Sequence, residues 1–316
     1  MRLTAILRQT MCIESTSKAY VGRFAPSPTG ALHFGSLVAA VASYCDAKAN
    51  KGKWLLRMED LDKPREVTGA ADTILQQLEA FGFEWDGEIM YQSQRDDFYA
   101  DAFNQLQKKA LIYPCTCTRK EIADSSLAQG IDALIYAKTC FYKQTTTPSI
   151  HAAYRAVVAD ENSCFLDAIQ GEIRQNLARD VGDFIVKRAD GLFAYQLAVV
   201  VDDAAQNVSH IVRGADLLDS TPRQIYLQQL LGLPTPQYAH NPIATNQVGE
   251  KLSKQTLAQP LCTRLAGQQL FEALSFLGQQ PPAEIKNYNL SEIWRWAIAH
   301  WNMANVPKQR KVITHD

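Results

Sequence analysis

The chain has 316 residues, 47% hydrophobic and 21% charged, with 16 glycines and 13 prolines. That balance excludes a disordered, collagenous or coiled-coil chain and leaves ample material to bury a core in one large or two ordinary domains. A formal net charge of −1 excludes a global field that attracts polyanions, so a nucleic-acid partner must be held by a local basic patch.

Seven cysteines are too sparse for a disulfide framework, which predicts reduced thiols in the cytoplasm and metal binding where they cluster. The uncharged stretch 24–45 is broken by Pro26, Pro28, Gly30, His33 and Gly35, so it is no membrane span. The N-terminal apolar run Leu3–Leu7, interrupted by Thr4, is too short for a signal peptide. Residues 1–19 read as an extension, with Met11 a second candidate start.

Strand-like and helix-like segments alternate, which predicts α/β with a parallel sheet. Tyr20–Phe24 reads as a strand, followed by the loop Ala25–Gly30 and a helix over about 35–50 with Gly52 at its C-terminal cap. Trp54–Met58 is a nearly continuous apolar run, expected of a strand covered on both faces, and it ends in Glu59-Asp60-Leu61-Asp62. Helices are expected over about 68–81 and 96–110. The pattern breaks down over 113–150, which reads as an insertion. Regular structure resumes at Ala153–Val157. Phe184–Arg188 and Leu192–Val201 flank Asp190-Gly191, a hairpin turn signal. Ser209–Val212 is a further strand ending at Arg213-Gly214, and Ser220-Thr221-Pro222 opens a helix with a capping hydroxyl that stops at Gly232. Two helices are expected over about 265–277 and 290–301, and Lys308, Arg310 and Lys311 read as a solvated tail.

Three constellations carry chemistry. The strand–loop–helix over 20–36 can seat phosphate at a helix N-terminus, with Gly35 allowing close approach and His33 donating. Lys251-Leu252-Ser253-Lys254-Gln255 follows the flexible Gln247–Glu250 turn and can close over a triphosphate; lysine is a mobile point charge. Cys115, Cys117 and Cys140 can supply three corners of a tetrahedral zinc site, although C-x-C is a weaker signal than C-x-x-C. The fourth corner is open between Tyr136, Asp124, Asp132 and His151. Cys12, Cys45, Cys164 and Cys262 are scattered singly and read as plain thiols.

Taken together, the run Arg23–Ser36 and the late Lys251–Gln255 resemble the HIGH and KMSKS pair of class I aminoacyl-tRNA synthetases, and Ser27 resembles the glutamyl branch. The resemblance spans roughly 20–260 and departs at Ser36, Leu252 and Gln255. It implies a Rossmann-like catalytic core over 20–262 with a zinc-binding insertion over 113–150, and a short helical region over 263–316. It also implies a glutamate pocket at Arg23, Phe24, Ala25, Pro26, Ser27, Glu59, Tyr195 and Arg213. Selecting glutamate over glutamine needs a fixed cation, best an arginine, and Arg23 and Arg213 both fall at strand ends. ATP is then expected at His33, Gly35, Ser36, Asp216, Lys251, Ser253 and Lys254, with Mg²⁺ on its phosphates and His33 and Lys254 holding the developing charge.

Only residues 256–316 follow the second signature, whereas a further domain of ordinary size needs ~100 residues or more. That shortness, the Lys-Leu-Ser-Lys-Gln loop and the C-x-C…Y-x-x-x-C spacing, which promotes Tyr136 as fourth ligand, resemble the glutamyl-Q tRNA(Asp) synthetase family. The resemblance implies a cytoplasmic, monomeric enzyme that adenylates L-glutamate and transfers it to queuosine at the wobble position of tRNA(Asp), with one structural Zn²⁺ and no anticodon-binding domain. Two other readings stay open: a truncated glutamyl-tRNA synthetase charging a tRNA 3′ end, and a non-catalytic RNA- or zinc-binding paralogue.

Overall fold

The computed structural model describes residues 19–128, 135–143, 152–247, 249–251 and 259–314, the side chains of 124–128 excepted. The extension before Ala19, Asp132, His151 and Leu252–Gln255 of the second signature, with Ser253 and Lys254, lie outside these residues.

The chain begins with β1 (Val21–Phe24), α1 (Phe34–Ala49), β2 (Lys53–Met58), α2 (Ala70–Ala80), β3 (Met90–Tyr91) and α3 (Asp96–Lys108). Strands β1, β2 and β3 pair in parallel in that order. Gly30 turns the loop between β1 and α1 at φ 132°, where a side chain is strained. Helix α1 does not cap at Gly52 as the sequence suggests: Lys51 takes the left-handed conformation (φ 55°). Gly52 is instead required by close approach, since a Cβ there would lie 2.6 Å from Tyr20 O.

The predicted insertion starts inside a strand. β4 (Ile112–Cys115) is followed by α4 (Arg119–Ala128), α5 (Thr139–Tyr142) and β5 (Ala153–Ala156), and β4 and β5 are antiparallel partners. A hairpin, β6 (Asn162–Asp167) and β7 (Gly171–Asn176), precedes the short α6 (Leu177–Asp180) and β8 (Ile185–Lys187), which pairs with β5. Leu192–Val201 is not the second strand of a hairpin: only Phe193 bridges back to Lys187, and α7 runs Tyr195–Ala205. The run Leu197–Val200 is buried on all sides, and an all-round buried helix carries no 3.6-residue polar period to reveal it.

Then come β9 (His210–Gly214), a 3₁₀ turn over Ala215–Ser220, α8 (Thr221–Leu231), β10 (Gln237–Asn241) and β11 (Ile243–Thr245). Because that 3₁₀ turn runs straight into α8, Ser220 is itself helical and its hydroxyl caps nothing; Pro222 does lie in the first turn. β9 pairs in parallel with β10, and β10 with β6. At the other edge of β9, Ser209 N–H donates to Val21 O (2.9 Å) and Val21 N–H to Ser209 Oγ (2.9 Å), which sets β1 beside β9. From that junction β1–α1–β2 runs one way and β9–α8–β10 the other. The strand order reverses there, and in open α/β sheets such a point opens a ligand crevice at the carboxyl ends of the strands.

The chain closes with α9 (Ala266–Phe276), α10 (Leu290–His300) and β12 (Lys311–Ile313). Lys308, Arg310 and Lys311 are solvent-exposed as expected but do not form a free tail: β12 pairs in parallel with β11, Lys311 opens that strand, and Arg310 Nη1 lies 3.1 Å from Asp219. Helices α9 and α10 share one core with α1 and β2, where Tyr44, Trp54, Phe83 and Trp294 interlock with ring centroids 4.7–5.5 Å apart. A second core joins α3, α7 and α8 through Leu106, Leu197 and Leu227. Among the described residues no helix is long and apolar enough to cross a membrane.

Candidate active site

A cleft of about 500 Å³ opens at the carboxyl ends of β1 and β9. Its lining includes Arg23, Phe24, Ala25, Pro26 and Ser27 from the end of β1 and the loop after it, and Glu59 from the end of β2. Tyr195 joins them from the first turn of α7 and Arg213 from β9, so the fold brings together the eight residues expected to hold glutamate. Tyr195 arrives there from a helix rather than from a hairpin strand.

The same cleft continues past His33, Gly35 and Ser36 at the start of α1 to Asp216 and Lys251, all expected on the ATP side. His33 is the N-cap of α1: its Nδ1 accepts the Ser36 N–H at 3.4 Å, which leaves Nε2, 3.3 Å from Ser36 Oγ, as the ring's donor edge. Ser36 therefore supplies a hydroxyl and fixes the imidazole through its backbone, although it lacks the second histidine ring of the usual motif. Lys251 Nζ lies 2.6 Å from Asp216 Oδ2.

Behind Arg23 and Glu59 lie two buried charges that the sequence did not reveal, Arg57 and Asp203. Arg57, fully buried on β2, donates from Nη2 to Asp203 Oδ1 (2.7 Å), reaches Glu59 Oε1 (3.5 Å) and donates from Nη1 to Gln206 (2.7 Å). Arg23 Nε donates to the same Asp203 oxygen at 3.3 Å. Burial would raise the Asp203 carboxyl, but Arg57 and Arg23 outweigh it and hold Asp203 below the ordinary carboxylate range. Glu59 goes the other way: burial lifts it above its ordinary value, and the two guanidiniums offset this only in part. A cation brought beside Glu59 would restore its charge.

Arg213 is held by neutral acceptors. Its Nε donates to His240 Nε2 (3.0 Å), and Nη2 donates to Thr221 Oγ1 (2.9 Å) and Gln224 Oε1 (2.7 Å). Nη1 is buried with no hydrogen-bond partner. An unpaired buried guanidinium N–H is costly unless a ligand completes it.

The thiol cluster forms away from this cleft. Cys115 ends β4, Cys117 follows it, and Tyr136 and Cys140 come from the far side of the insertion. Cys117 Sγ lies 3.4 Å from Cys140 Sγ, and Tyr136 Oη lies 3.3 Å from Cys115 Sγ and 3.6 Å from Cys117 Sγ. The three sulfurs all fall within 4.8 Å of one another. Arg155, missed from sequence, donates from Nε to Cys115 Sγ (3.2 Å) and stacks over the Tyr136 ring.

Residues 20–268 match the family described as tRNA synthetases class I (E and Q), catalytic domain. The glutamyl-Q tRNA(Asp) synthetase of Aromatoleum aromaticum is 54% identical over 94% of this chain and 93% of its own length. That of Dechloromonas aromatica is 54% identical over 93% and 98%. Among solved structures, the glutamate-tRNA synthetase from Elizabethkingia anophelis superimposes with a TM-score of 0.74 at 24% identity, covering 94% of this chain and 68% of that one, a likeness of fold. With the first signature and Lys251 of the second at one crevice and relatives this similar over nearly their whole length, the chain belongs to the class I tRNA synthetases of the glutamyl and glutaminyl type, and within them to the glutamyl-Q tRNA(Asp) synthetase family.

Proposed function

We propose that the protein activates L-glutamate with ATP and transfers it to queuosine at the wobble position of tRNA(Asp). The observation that carries the activation step is Arg213: a fixed cation with an unpaired buried N–H, in the same cleft as the N-terminus of α1. The acceptor rests on the name shared by the similar proteins.

Arg213 takes the side-chain carboxylate and Glu59 the ammonium, with Arg23 and the Phe24–Ser27 turn shaping the pocket and Tyr195 closing it. The α-carboxylate then attacks the α-phosphorus of ATP in line, and pyrophosphate leaves. Catalysis is mostly positioning and charge neutralisation. His33 Nε2–H, the Gly35 N–H in the first turn of α1, the Ser36 hydroxyl and Lys254 hold the growing charge. Lys251 and Ser253 bind the phosphates, Asp216 positions the nucleoside, and Mg²⁺ accompanies ATP. A queuosine hydroxyl next attacks the mixed anhydride, and AMP leaves.

The thiol cluster fits one Zn²⁺. Two thiolates ~2.3 Å from one tetrahedral ion sit ~3.8 Å apart, close to the 3.4 Å between Cys117 and Cys140. Cys115, Cys117, Cys140 and Tyr136 would hold it, and its role is to order the insertion. We read 20–262 as the catalytic domain with its insertion at 113–150, 263–316 as a helical region against it, and the enzyme as a cytoplasmic monomer.

The test is transfer of radiolabelled glutamate to tRNA with and without queuosine, followed by nuclease mapping of the label. Label on the wobble nucleotide of tRNA(Asp) is expected. Label on the 3′-terminal adenosine, or equal labelling of queuosine-free tRNA, would favour 3′-end charging, and no ATP–pyrophosphate exchange would favour a non-catalytic paralogue.

A further inference from the structure

Behind the cleft wall lies a buried chain of side chains spanning β6, β10 and β9. Asp167 Oδ2 lies 2.6 Å from His240 Nδ1, and Asp167 Oδ1 also accepts the His240 backbone N–H at 3.1 Å. On its other side the same ring meets Arg213, Nε2 to Nε, at 3.0 Å. All three residues are at most 5% exposed, and His240 is fully enclosed. We propose that Asp167 and His240 are positioning residues that lock the Arg213 guanidinium with Nη1 turned to the substrate, and thereby set the preference for a side-chain carboxylate over a carboxamide. The proposal rests on Arg213 being the side-chain anchor of the activated amino acid.

The geometry allows one protonation pattern. Arg213 Nε always carries hydrogen, so Nε2 of His240 must be the acceptor, and Nδ1–H must donate to Asp167. An Nε2–H tautomer or an imidazolium would set two N–H groups head to head. Burial, with the nearby Arg213 charge, keeps the ring neutral against the pull of Asp167. Asp167 fixes the tautomer, the tautomer fixes Nε of Arg213, and Thr221 with Gln224 fixes Nη2. One edge of the fork remains.

Charge follows from the same contacts. Arg23 and Arg57 share the Asp203 carboxylate, whereas every acceptor touching Arg213 is neutral. Its positive charge is therefore left for the ligand. A carboxylate meets it with an opposite charge as well as an acceptor, which a neutral carboxamide oxygen cannot, and an amide NH₂ turned toward it finds no acceptor. An imidazole suits this place because it accepts from Arg213 without neutralising it.

The test compares the wild type with His240→Phe, which removes the acceptor, and His240→Gln, whose amide oxygen restores one near the Nε2 position. ATP–pyrophosphate exchange is measured with glutamate and with glutamine. For His240→Phe we expect KM for glutamate to rise ~10-fold or more, kcat and KM for ATP to change less than ~3-fold, and the glutamate-to-glutamine preference to fall ~10-fold. His240→Gln should recover most of both losses. Ring ¹⁵N NMR of the wild type at pH 7 should show His240 as the Nδ1–H tautomer, its signal among the six histidines assigned by its loss in His240→Gln. An imidazolium or Nε2–H ring, a folded His240→Phe with unchanged KM and preference, or His240→Gln no better than His240→Phe would each overturn the proposal while the activity stands. A wild type that does not activate glutamate would overturn the functional reading, and this proposal with it.

Discussion

Gln77 of α2 joins the two signature regions: its Oε1 accepts the Leu32 N–H at 2.7 Å while its Nε2 lies 3.3 Å from Leu261 O. Leu32 precedes the N-cap His33, Leu261 follows the second signature, and Leu261 N–H donates back to Leu32 O at 2.9 Å. Gln77→Leu leaves the Leu32 N–H buried without an acceptor. We expect a loss of ~1–3 kcal/mol, read as a lower urea midpoint, and a weaker exchange reaction because His33 is no longer held. An unchanged midpoint would contradict this role.

Lys254 and Arg213 should separate kinetically. Lys254→Ala removes a charge used mainly in the transition state, so kcat for exchange should drop ~100-fold, more than KM for ATP rises. Arg213→Gln should impair glutamate and leave ATP binding nearly intact. A Lys254→Ala effect confined to KM would show uniform ground-state binding instead.

Metal content tests the thiol cluster. Protein purified without added zinc should carry about one Zn²⁺ per chain, and Cys140→Ser should lower that stoichiometry and destabilise the insertion. Tyr136→Phe should weaken the binding. If stoichiometry and affinity are unchanged in Tyr136→Phe, the fourth ligand is water or another side chain.

Acid should weaken the fold through His240. Burial, aided by Arg213 and opposed by Asp167, pushes its ring from 6.5 down to about 4. Between those values the unfolded chain binds the proton and the folded chain does not, so stability rises with pH. The contribution is full above about pH 6.5 and is reduced by roughly 3 kcal/mol on reaching pH 4. Asp167 and Asp203, both held below the ordinary carboxylate value, lose their contributions only at still lower pH. Urea midpoints between pH 7 and 4.5 should fall less steeply in His240→Phe than in the wild type.

The parts legible in the sequence were those where local chemistry and position coincide. The turn at Pro28-Thr29-Gly30 and the one-sided apolar faces of α2 and α3 announce themselves, and Glu59 and Arg213 stand out at strand ends. β10 did not, because Gln237, His240 and Asn241 make it read polar, and the partners of the His240 ring come from β6, β9 and α8. Arg57 and Asp203 meet across 146 positions, which no local pattern can express. Charges inside otherwise apolar buried runs were the available hint: Arg57 in Trp54–Met58, and Asp202-Asp203 at the end of the buried run in α7. Asp202 is spent on structure, accepting from Gln92, Arg95 and Tyr99, which fasten α3 to α7.

The parallel pairing of β12 with β11 gives the last residues an influence on the nucleotide end of the cleft. Ile243 and Ala244 line the crevice, and their outer edge is stitched to Arg310, Val312 and Thr314, with Ile243 N–H on Arg310 O at 3.0 Å and Thr314 N–H on Thr245 O at 2.9 Å. A bulky affinity tag fused directly behind Asp316, or trimming back to Lys308, would disturb that seam and loosen the approach to Lys251.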